Sequence, residues 1–153
     1  MTGRRARRRP GENRERLLEA GLCEFGLFGF HGASTAAIAA RAGVPQPHVY
    51  ANFSNKQELF LEVCAAAVQI VLSARLAAGP VELSRVRSGA LEGLAADAQR
   101  TLLQALAAVC SPQLAADLLP LLAGFRDAYG DSDFAATYGA SGVAMLEHAI
   151  ARN

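Results

Sequence analysis

The 153-residue sequence predicts an all-α fold, with a compact three-helix head at the N-terminus followed by a small helical bundle. Three observations predict it. Much of the 52% apolar content is Ala and Leu, while aromatics are 7% and Trp is absent, a composition suited to packed helices rather than sheet. Apolar residues recur at three- and four-residue spacings along most of the chain, and nothing reads as a strand. Gly, Pro and Ser punctuate these segments where helices should start and stop.

Residues 1–10 are an Arg-rich arm with no hydrophobic period, expected to be disordered when free. From about Glu12 a first helix carries Leu17, Gly21, Phe25 and Phe28 along one side, and Gly29 and Gly32 end it. Ser34-Thr35 offers hydroxyl caps for a short helix over about 34–42, with Ile38, Ala39 and Ala42 on one face. Gly43 supplies the permissive backbone of a tight turn, and Pro45 pre-sets the entry to another short helix over about 46–53. Val49 and Phe53, four residues apart, hold that helix down on its predecessor. This is the layout of a helix-turn-helix, whose second helix can enter the major groove of duplex DNA.

Asn55 and Glu58 fit a capping box that opens a long helix, with Leu59, Val63, Ala66, Ile70 and Ala74 as its stripe and Gly79-Pro80 as its break. The stretch 81–89 is ambiguous. Leu91, Leu94, Ala98, Leu102, Leu106 and Val109 resume a helical pattern. Ser111 as N-cap and Pro112 in the first turn start the next helix, which presents Leu114, Leu118, Leu121, Phe125 and Tyr129 and should kink at Pro120. Gly130 closes it, and Ser132 is placed to cap a last helix running to about Ala151, with Phe134, Tyr138, Met145 and Ile150 among small residues. The expected division is an arm at 1–10, a DNA-binding head at 11–56, and a second helical body at 57–153.

Net charge is only +1, but its distribution is lopsided. Residues 1–56 carry nine Lys/Arg against four Glu, so a basic N-terminal third precedes an acidic remainder. One end therefore suits a polyanion and the other suits something else. Arg4-Arg5 is not an export signal, because no apolar core follows it. Cys23, Cys64 and Cys110 sit singly in helical patterns and read as small buried hydrophobes in a reducing cytoplasm. His31, His48 and His148 have no ligand spacing with one another or with Cys, so neither a metal nor any other cofactor is expected. No apolar run reaches membrane-spanning length without a polar interruption, Val63–Ala78 being too short. An enzyme is the weakest class, since no nucleophile–base order, paired carboxylates beside a His, or phosphate loop is present.

The run GVPQPHVYANFSNKQEL resembles the DNA-reading end of TetR-family (TetR/AcrR-type) transcriptional repressors. Thr35, Ile38-Ala39, the Ala42-Gly43-Val44 turn, Tyr50, Phe53, Lys56 and Leu59 stand at the family's spacing, and the resemblance spans about residues 14–60. LLQALAAVCSPQLAADLL resembles the C-terminal body of some members more loosely. His48, Ala51 and Asn52 depart from the family, which often has Ser or Thr, an aromatic and His there, so no operator sequence carries over.

Within the head, Gln46 and His48 are best placed for base edges, Gln because it can pair two-pronged with adenine, and Pro47 can pack on a thymine methyl. Asn52 is either a phosphate contact or a cap. Arg4 and Arg5 can reach the flanking minor groove. The resemblance implies that Thr35, Tyr50 and Lys56 hold phosphates. It also implies a pocket for a small apolar effector, with Phe60, Cys64, Val68, Leu94, Ala98, Leu102 and Phe125 as candidates, in a body that is short for the family. The leading expectation is a ligand-responsive homodimeric repressor of double-stranded operator DNA, paired through its last two helices, with no membrane partner. The alternative is a helical module that binds a small molecule or a protein and whose DNA reader has lapsed.

Overall fold

The computed structural model describes residues 11–77 and 89–139, and every element among them is helical. In chain order these are α1 (Glu12–Gly32), α2 (Thr35–Ala42), α3 (Pro47–Asn52), α4 (Lys56–Ala77), α5 (Gly89–Ala108) and α6 (Pro112–Tyr129), followed by a helical stretch over 131–139. The expected arm with Arg4 and Arg5, the Gly79-Pro80 break and the end of the last helix lie outside the described residues.

α1 is the shared spine: it packs on α2 and α3 on the head side and on α4 and α5 on the body side. Its register on α4 is set by Gly21, since a Cβ there would come within 2.6 Å of the Val63 side chain. Helical backbone stops at Gly29, whose φ of 66° is left-handed, and a final turn ends at Gly32. The core is continuous from Leu17 and Phe25 through Ile38, Val49 and Phe53 to Leu59, Phe60, Leu102 and Leu118. It therefore crosses the 56/57 division without interruption.

The local signals hold. Ser34 Oγ accepts from the Ala37 N–H at 3.0 Å, closing the start of α2. Gly43 takes φ 63°, and the N–H groups of Gly43 and Val44 return to the carbonyls of Ala40 and Ala39. Asn55 Oδ1 accepts from the Glu58 N–H at 2.8 Å, while Glu58 Oε2 accepts from the Ser54 N–H at 2.6 Å, one residue before the usual reciprocal partner. Hydrogen bonds from Ser54 hold the Glu58 carboxyl below its ordinary range.

Several expectations need correction. The buried face of α4 is Leu59, Phe60, Val63, Cys64, Ala67, Val68 and Val71, whereas Ala66, Ile70 and Ala74 are only half-buried. α4 is apolar on several sides because α1, α5 and α6 all pack on it. By length and composition it is long and apolar enough to cross a membrane, contrary to the expectation from sequence, and its buried face here serves the protein core. In α6 the buried residue is Leu122 rather than Leu121, and Pro120 sits exposed inside the helix. The helical stretch 131–139 starts from the Gly130 carbonyl, which accepts from the Phe134 N–H at 2.8 Å, so Ser132 lies inside the helix and does not cap it.

The cysteines also divide. Cys64 is buried, Cys23 half-buried and Cys110 exposed just past the end of α5. Burial pushes the Cys64 thiol up to about 12. Alkylation by iodoacetamide, followed by mass spectrometry, should therefore modify Cys110 first and Cys64 only on unfolding. Rapid modification of Cys64 in the folded protein would contradict this packing.

Candidate nucleic-acid interface

The head presents α3 on two buried anchors. Val49 is fully buried and Phe53 nearly so, which seats the six-residue helix against α1 and α2. Val44 is buried ahead of it. The residues between and beside these anchors, Gln46, Pro47, His48, Tyr50 and Ala51, are all exposed. A short helix with one side anchored and the other bare is the geometry a major-groove reader needs.

The exposed polar groups are positioned by one another. Thr35, buried at the start of α2, places its Oγ1 3.0 Å from the Tyr50 hydroxyl. Gln46 Nε2 donates to the same Oγ1 at 3.4 Å, so three predicted contact residues meet at one hydroxyl. The ring of Tyr50 stays 54% exposed, so this bond orients the ring without burying it.

Asn13 Nδ2 lies 3.0 Å from His48 Nδ1, a hydrogen bond that orients the imidazole on α3. Asn52, the last residue of α3, donates from Nδ2 to the His48 carbonyl one turn back, at 2.7 Å. Lys56 opens α4 and leans over the end of α1. Its Nζ lies 4.9 Å from the centre of the Phe30 ring and donates to the His31 carbonyl at 3.5 Å. A cation beside the last carbonyls of a helix is electrostatically favoured, and desolvation there lowers the lysine pKa.

Four residues that support this surface escaped the reading from sequence. Asn13 orients His48 across 35 residues of chain. Arg14 stacks on Phe53, 5.3 Å from the ring centre. Glu24, only 6% exposed, accepts from both Nε and a terminal nitrogen of Arg41 at 2.8 and 2.7 Å, locking α2 to α1. These contacts span 17 to 39 residues of chain, so no spacing rule could have found them.

The candidate effector residues lie in the body as packing. Phe60, Cys64, Ala98, Leu102 and Phe125 are at most 2% exposed and Val68 6%, while Leu94 is half-buried. Phe60 packs edge-on against Phe25 at 4.9 Å between ring centres. An open cleft of about 530 Å³ lies instead between α4 and α6, with Leu61, Ala65 and Leu121 among its lining and none of those seven residues. At its edge Gln57 Nε2 bridges to the Gln113 carbonyl and to Asp117 on α6, at 3.0 and 3.2 Å.

Residues 17–63 match the family model described as bacterial regulatory proteins, tetR family. The HTH-type transcriptional regulator YdgC of Bacillus subtilis is 42% identical over 52 residues, which is 34% of this chain and 27% of that protein. The HTH-type transcriptional activator FasR of Mycolicibacterium smegmatis is 42% identical over 71 residues, 46% of this chain and 32% of its own. The aligned stretches thus span about a third or less of either relative. Over the fold, the crystal structure of the multidrug binding protein EbrR, complexed with imidazole, superposes with a TM-score of 0.50 at 21% identity, covering 94% of this chain and 85% of the other. The stretch that matches the tetR family model holds α2, α3 and most of α1, the head whose α3 stands bare on its anchors.

Proposed function

We propose that the protein is a DNA-binding transcriptional regulator, a homodimeric repressor that releases its operator when a small apolar effector binds the body. The observation that carries this reading is the exposed face of α3, where Gln46, Pro47, His48 and Tyr50 surround two buried anchors. Thr35, Tyr50 and Lys56 hold phosphates on the flanks, Gln46 and His48 face base edges, and Arg4 and Arg5 reach into the adjoining minor groove. The protein acts on DNA without chemistry, in the cytoplasm.

Pairing through α6 and the helix after it supports the dimer. α6 leaves Leu119, Pro120 and Ala123 exposed, with Leu119 at 55%, and 131–139 leaves Ala135 and Ala136 exposed. Buried aromatic packing of Phe125 and Tyr129 with Phe134 and Tyr138 stiffens the pair that carries them. A two-fold dimer then sets two α3 helices about 34 Å apart, on successive major grooves. The Gln57 bridge supplies a route from the effector: a shift of α6 is passed to the first turn of α4, three residues beyond Phe53 at the end of α3.

The test is a binding series on an operator selected from genomic fragments, across single-base variants at two salt concentrations. Lys56→Ala should weaken binding to all variants about equally and lower the salt slope by roughly one phosphate's worth. Gln46→Ala should cost about 1–3 kcal/mol at one base position and relax the preference there. Tyr50→Phe should resemble Lys56→Ala, only milder. If Lys56→Ala altered base preference while Gln46→Ala altered only overall affinity, this docking would be wrong. Absence of any salt-dependent binding would favour a module whose reader has lapsed.

A further inference from the structure

The cleft between α4 and α6 is walled by carboxylates and floored by apolar side chains. Glu58 and Glu62 on α4 face Asp117 on α6, over Leu61, Ala65 and Leu121. Among the described residues, Glu62 pairs with Arg14 at 3.0 Å, Asp117 accepts from Gln57, and Glu58 accepts from Ser54. An ionised carboxylate has about four acceptor sites, more than these contacts occupy. Arg14 and Glu62 remain 41% and 44% exposed, and the space beside them is open.

The chain carries its own complement. Arg4, Arg5, Arg7, Arg8 and Arg9 precede α1, which begins at Glu12. Arg14, in the first turn of α1, already reaches the cleft wall through Glu62 and lowers the carboxyl of its neighbour Glu58. The arm therefore starts within one helical turn of the cleft. At about 3.5 Å per extended residue, the chain from Glu12 back to Arg9 can span at most about 10 Å, and back to Arg4 about 30 Å. Guanidinium forks match carboxylates two-pronged, and their methylene stems suit an apolar floor.

We propose that the α4/α6 cleft docks the chain's own arginine arm, residues 4–9, when DNA is absent. Docking pairs the arm with the cleft carboxylates and withholds its charges from phosphates. Duplex DNA, the stronger polyanion, draws the arm out. This last consequence rests on the DNA-binding function proposed above, whereas the docking itself does not.

Limited trypsin digestion of the full-length protein without DNA tests the docking, with cleavage after the arm arginines followed by mass spectrometry. At low salt, arm cleavage should be about fivefold to tenfold slower in the wild type than in Glu62→Gln/Asp117→Asn, the shift expected of a few exposed ion pairs acting together. The difference should vanish at high salt, where the screening length falls to about 3 Å at 1 M. Asp117→Asn alone, which leaves the Arg14–Glu62 pair intact, should give an intermediate rate and covers the case of a misfolded double variant. Equal low-salt rates in the wild type and Asp117→Asn would overturn the proposal. So would protection that disappears on dilution, which would assign the cleft to a second copy's arm.

A second measurement uses mixed-sequence duplex DNA. The double variant should bind it about fivefold more tightly than the wild type at low salt. In a chain whose five arm arginines are replaced by Gln, the same cleft substitutions should leave affinity unchanged. An equal gain there would mean simple loss of repulsion and would overturn the arm's role. Because the digestion contains no DNA, failure of DNA binding and failure of arm docking give separate signatures.

Discussion

Phe60→Ala is expected to lower the free energy of unfolding by about 3–5 kcal/mol, the usual effect of emptying a large aromatic site in a close-packed core. Phe60 is fully buried on α4 and packs on two rings of α1, with centres 4.9 Å away at Phe25 and 5.2 Å away at Phe30. It therefore joins body to head. Phe30 in turn carries Lys56 on its face, so the loss should also loosen a proposed phosphate contact. Urea unfolding followed by circular dichroism measures the first effect. A change below about 1 kcal/mol would mean that the site is adaptable, as a ligand pocket is, rather than tightly packed. Phe60→Leu, which refills most of the volume, should recover much of the stability.

Arg41→Ala should destabilise the head by about 2–3 kcal/mol, less than the 3–5 typical of a fully buried pair because Arg41 is itself 45% exposed. The asymmetry of the pair is the informative part. Glu24 has 7% of its side chain exposed, so removing Arg41 leaves a carboxylate with little water to replace the lost partner. Glu24→Gln keeps the shape and an acceptor and should cost only about 1 kcal/mol. The double variant Arg41→Ala/Glu24→Gln should then be more stable than Arg41→Ala alone, since no charge is left unpaired. Thermal melts of the four proteins make the cycle. Additive losses would show that the pair is solvated and contributes little. The guanidinium pKa is raised by its hydrogen bond to Glu24, so Arg41 stays charged throughout any practical pH range.

The helix-turn-helix was legible because each of its devices is local. Ser34 reaches Ala37, Gly43 turns over residues 39–44, and Asn55 accepts from Glu58 while Glu58 accepts from Ser54, all within a few residues. Such bonds close inside a single turn of chain, so residue type and spacing state them almost completely. The anchors Val49 and Phe53 were equally plain, since a six-residue helix has only one face to bury.

What residue spacing could not supply depends on who lies opposite. α4 is apolar on several faces, and periodicity alone picked Ala66, Ile70 and Ala74 where the core holds Cys64, Ala67 and Val71. That choice is made by α1, α5 and α6 together, through the volume each leaves. Likewise His48 depends on Asn13, Arg41 on Glu24, and Lys56 on the last turn of α1, over 35, 17 and 25 residues of chain. Amphipathic pattern and capping chemistry thus named the helices and the reading face. The orientation of each side chain on that face, and the acidic cleft between α4 and α6, arise from groups that only folding brings together, where short-range hydrogen bonds and packing act.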